Sequence, residues 1–162
     1  MNKVIDFEGH GIEVFNHGSG ETLATSIAAA YADRKPWFGF YWGPTAILGK
    51  YPMVLVDIGP YDPAIHACNS DKACTTPGIS AYPRAAVKTA VTTTFREREP
   101  DIAALMSKVS FTNDQMNEIL AWMEDNNASA EEGAVHFLTS HKDVWAGWLN
   151  DSAREKLAAI IK

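Results

Sequence analysis

The stretch WFGFYWGPTAILGKYPMVLVDI, residues 37–58, decides how this chain is read. It holds two near-continuous apolar runs, residues 37–42 and 53–58, parted by a Gly-Pro turn and a short connecting segment. Such runs read as strands buried on both faces, as parallel sheets require. Upstream, GIEVFN (residues 11–16) sets Ile12 and Val14 among polar neighbours and stops at HGSG, which predicts a strand ending in a tight turn. Ser19 is placed to cap a helix over about residues 21–33, with Leu23, Ile27 and Tyr31 on one face, and RKP then ends it. Strand, helix, strand with short connections implies a right-handed βαβ unit. VKTAVTT, residues 87–93, is rich in β-branched side chains and predicts a further strand.

From residue 95 the pattern turns helical. Pro100 opens a helix with Ile102, Leu105, Met106 and Val109 on one face. Asn113 is expected to cap the next, which spaces Met116, Ile119, Leu120 and Met123 at helical intervals. Residues 130–139 and 144–161 follow as helices, with Trp122, Trp145 and Trp148 at core spacing and His136 and His141 as packing or surface residues. The expected fold is therefore α/β. A mixed or parallel sheet lies in residues 1–94, and a helical segment, residues 95–162, packs on it as one unit or a unit completed in a dimer. One helix connecting four or five strands leaves a sheet face under-covered, which points to a partner surface.

Composition limits the function. Of 162 residues, 46% are hydrophobic and 21% charged, which suits a globular domain of ordinary size. The net charge is −6 with no Lys/Arg cluster, so nucleic acid and anionic lipid are poor partners. No apolar run approaches the ~18 residues of a membrane span. Residues 1–10 (MNKVIDFEGH) lack the apolar core and cleavage site of a signal peptide, so the chain is either cytosolic or given without its leader.

The densest chemical signal is aromatic: five rings fall within residues 37–42. Trp37, Phe38 and Phe40 read as core. Tyr41 and Trp42 sit where the run leaves the expected sheet, and ligand crevices of open α/β sheets lie beyond strand carboxyl ends. An exposed indole face there attracts cations, and several rings cage a quaternary ammonium. The long proline-studded loop at residues 60–83 carries Tyr61 and Tyr82, read either as further cage rings or as turn chemistry. HGSG reads as a capping turn. Cys68 and Cys74 are two idle thiols in a reducing compartment, or a small disulfide loop in an oxidising one. Two thiols alone make a poor zinc site, and no nucleophile motif or paired acid-base spacing supports an enzyme or a cofactor.

GIEVFNHGSG, KPWFGFYWGPTAILGKYPMVLVD, YPRAAVKTAVTTTFREREPDIAALMSKV and VHFLTSHKDVWAGWL together resemble the glycine betaine/choline substrate-binding proteins of ABC transporters. The resemblance implies part of a type II periplasmic-binding-protein lobe that holds a quaternary ammonium solute in an aromatic box. It implies Trp42 as a box residue, with Tyr41 and Tyr82 beside it, and a loop disulfide between Cys68 and Cys74. It also implies a periplasmic or extracellular setting and an ABC permease as partner. A full family member is longer, so a homo-oligomer that supplies the missing lobe is expected. The competing reading is a free-standing, oligomerising interaction module with no small ligand.

Overall fold

The computed structural model describes residues 15–161. Nine helices lie among them: α1 (Gly20–Ala32), α2 (Ala46–Lys50), α3 (Pro63–Ser70), α4 (Thr93–Arg98), α5 (Pro100–Lys108), α6 (Asn113–Asp125), α7 (Ala130–Ser140), α8 (Lys142–Ala146) and α9 (Asp151–Ile160). The α/β expectation is corrected here, because no described residue belongs to a strand or sheet. The expected strands at residues 37–42 and 53–58 carry no regular structure, and the one expected at residues 87–93 has none before Thr93, which begins α4. β-branched and aromatic runs favour extended backbone, but a strand exists only when a neighbour completes its ladder. The strand expected at residues 11–16 falls mostly outside the described residues, as does the N-terminal decapeptide.

The chain divides into two compact units. Among the described residues, one comprises residues 15–23 and 54–87, the other residues 24–53 and 88–161.

The second unit is built on α6 to α9. Ile119, Phe137 and Trp145 form its buried centre, closed over by Met116, Met123, Leu138, Val144, Trp148, Leu149, Leu157 and Ile161. Trp145 is 2% exposed, and its indole N–H donates to the Leu138 carbonyl at 2.8 Å. Phe111 meets Phe137 and Trp148 edge-on at 5.1 and 5.3 Å. His136 stacks flat on Trp122 with centroids 3.9 Å apart, and His141 stacks on Phe137 at 5.5 Å.

Local signals set the helix ends. Thr112, not Asn113, caps α6: its hydroxyl accepts from Gln115 N, and the Gln115 side chain accepts from Thr112 N. Threonine one residue earlier, with glutamine three residues on, completes a capping box that asparagine at 113 lacks. The helix expected over residues 144–161 is broken. α8 ends at Ala146 with Gly147 as its C-cap, and Asn150 caps α9 by accepting from Ala153 N at 2.9 Å.

Ser129 and Glu132 form a second capping box, at the start of α7. Hydrogen bonds from the Ser129 backbone N–H, then its hydroxyl, hold the Glu132 carboxyl below its ordinary value of 4.5. A depressed carboxylate pKa stabilises the fold above the unfolded value and loses that contribution as pH falls through the folded one. The stability difference between wild type and Glu132→Gln is therefore expected at neutral pH and vanishes in melts taken progressively below pH 4.5. A difference that persists unchanged into acid contradicts this.

Candidate functional site

The aromatic run enters the second unit against α1. The Trp37 indole N–H donates to Ser26 Oγ at 3.1 Å, and the Trp37 ring lies over Gly39 where a Cβ would project. Phe38 and Phe40, expected in the core, are exposed, because no sheet covers them. Tyr41 and Trp42 stack on each other with centroids 4.6 Å apart and planes at 26°. Phe40 lies tilted 6.4 Å from Trp42. Trp42 is 47% exposed, so part of its π surface is open to a solute. An open aromatic face attracts cations through its ring quadrupole.

What holds these rings is the next turn and α2. The Gly43–Pro44 peptide is cis. Thr45 N donates to Asn117 Oδ1 at 2.7 Å, and Asn117 is only 8% exposed on α6. A buried amide needs its partner, so this bond fixes the turn on the helix. α2 then lies flat on α6. A Cβ on Gly49 would fall inside the Asn117 carbonyl and 2.8 Å from Ala121 Cβ, so only glycine allows the approach. Lys50 Nζ pairs with Glu124 at 2.7 Å and Asp125 at 2.8 Å. Hydrogen bonds to Asp125 and then Glu124 raise the Lys50 pKa, so the ammonium stays charged.

Tyr82, the other ring implied by the family likeness, lies in the first unit. There His66, on α3, meets Tyr61 and Tyr82 edge-on at 5.5 and 5.8 Å. The surrounding loop is pinned rather than loose. Asp62 caps α3 by accepting from Ala64 N and Ile65 N. Ser80 Oγ accepts from Asp62 N at 3.0 Å. The Asn69 side chain exchanges two hydrogen bonds with the Gly78 backbone. Cys68 and Cys74 are joined by a disulfide with Cα atoms 5.2 Å apart. The HGSG turn is a cap: Ser19 Oγ accepts from Thr22 N at 3.2 Å, and Thr22 Oγ1 from Ser19 N at 3.3 Å.

Asn117, Thr45, Gly49 and Lys50 were not among the residues the sequence singled out. A usable signal was the four-residue spacing of Asn113, Asn117 and Ala121, a polar and small stripe beside the apolar face of α6. A stripe of that kind marks where a backbone docks closely. In the comparison with known families, residues 1–140 match the substrate binding domain of the ABC-type glycine betaine transport system.

Proposed function

Because the chain belongs to the family of substrate-binding domains of ABC-type glycine betaine transport systems, we propose that it holds a quaternary ammonium solute against the faces of Trp42 and Tyr41. The family is a binding family, not an enzymatic one, and it implies a small solute and an ABC permease as partners. Its members normally work in the periplasm or outside the cell. Among the described residues no helix is long and apolar enough to cross a membrane.

The observation that carries the residue assignment is the open, stacked Trp42–Tyr41 pair, held on α6 through the Thr45–Asn117 bond. Each ring contributes about 0.5–2 kcal/mol to a bound cation. Trp42→Ala is then expected to weaken binding about 2- to 30-fold. Tryptophan fluorescence titrated with glycine betaine and with choline measures this, with 3,3-dimethylbutanoate as the uncharged-head control. Saturable binding of the cations but not the control, weakened in Trp42→Ala, supports the assignment. Equal binding of the control, or an unaffected variant, overturns it.

A further inference from the structure

A betaine is charged at both ends, and aromatic rings answer only its ammonium. Its carboxylate needs a donor as well, because an anion taken out of water without a partner is strongly penalised. Several donors near the ring-bearing turn are already used. The Trp37 indole N–H goes to Ser26 Oγ and Thr45 N to Asn117 Oδ1. The Thr45 hydroxyl is closed off from solvent. Lys50, at the end of α2, is held between Glu124 and Asp125.

Asn113 differs. It is the first residue of α6, it is exposed, and among the described residues nothing hydrogen-bonds its side chain. Its amide lies against Gly43, the residue that follows Trp42. A Cβ at Gly43 would meet Asn113 Nδ2 at 3.4 Å and Leu48 Cδ1 at 3.3 Å. The absent side chain leaves only bare backbone between the indole-bearing residue and the amide.

We infer that Asn113 is a specificity-determining residue of the ring site, its Nδ2 donating to the carboxylate of a betaine whose ammonium rests on Trp42 and Tyr41. This depends on the ring assignment and completes it at the other end of the solute. A hydrogen bond to an ionised acceptor is about twice as strong as one between neutral groups. Choline ends in a hydroxyl and gains only the neutral bond, so Asn113 favours carboxylated betaines over choline. The α6 cap does not use this side chain, since Thr112 and Gln115 form the capping box. Aspartate also suits the first turn of a helix. Asn113→Asp therefore keeps the helix while setting a negative charge against the carboxylate.

Fluorescence titrations of the full chain with glycine betaine and with choline test it, on wild type, Asn113→Ala and Asn113→Asp. The ratio of glycine betaine affinity to choline affinity is expected to fall about tenfold in Asn113→Ala, and further in Asn113→Asp. Damage to the helix lowers both affinities together, so the ratio reads the contact itself. A ratio unchanged in both variants, while Trp42→Ala still weakens both solutes, overturns the inference and leaves the ring assignment standing. A Trp42→Ala chain that binds both solutes as wild type does overturns the two together.

Discussion

Trp145→Ala is expected to lower the stability of the helical core by about 3–5 kcal/mol, the usual cost of deleting a buried tryptophan. Trp145 is 2% exposed at the centre of the Ile119–Phe137 cluster, so the surrounding helices can close over the void only in part. The change also strips the Leu138 carbonyl of its indole donor, which adds to the loss. At about 2–4 °C per kcal/mol for a chain of this size, the melting temperature should fall roughly 6–20 °C. Trp148→Ala is the control, because Trp148 is only partly buried and should cost less. Trp145→Phe keeps most of the volume and isolates the lost hydrogen bond. Equal melting shifts for Trp145→Ala and Trp148→Ala would show that the cluster is not the centre of the core.

Gly49→Val acts on a different link, between packing and ligand. The new side chain occupies the space of the Asn117 carbonyl and Ala121, so α2 must move off α6. Overpacking of this kind costs about 1–3 kcal/mol, and here the displacement is also expected to break the Thr45–Asn117 bond. The Lys50 pairs add little to that sum, because the carboxylates of Glu124 and Asp125 stay largely in solvent. The expected result is a lowered melting temperature together with weaker cation binding, although Trp42 and Tyr41 are untouched. Thermal melts and fluorescence titrations on the same preparation measure both. A destabilised variant that binds its solute as wild type does would separate the ring pair from its support.

The two variants mark what was legible in the sequence. Amphipathic spacing and caps announced the helices: α1 was expected over about residues 21–33 and found at Gly20–Ala32. α5, α6 and α7 likewise stand where their apolar faces and first-turn residues place them. α3 went unread because four prolines in residues 60–83 suggested only turns, although Asp62 before Pro63 is a helix start. The strands failed for a physical reason. Val54, Leu55 and Val87 carry strong extended propensity, but a local run cannot report whether its ladder partner is in place. Aromatic density drew attention to Tyr41 and Trp42, the rings proposed to meet the solute. It could not reveal Asn117 or Gly49, whose importance arises from residues far along the chain.

That distance matters for the order in which the unit can assemble. The Thr45–Asn117 bond spans 72 residues and the Lys50–Glu124 contact 74. α6, α7 and α8 follow one another through short connections. Loop-closure entropy must be met before a long-range contact rewards the chain, whereas helices joined by a few residues meet with little such cost. The ring-bearing turn is thus topologically remote from the core on which it rests, and the last helices can gather without it.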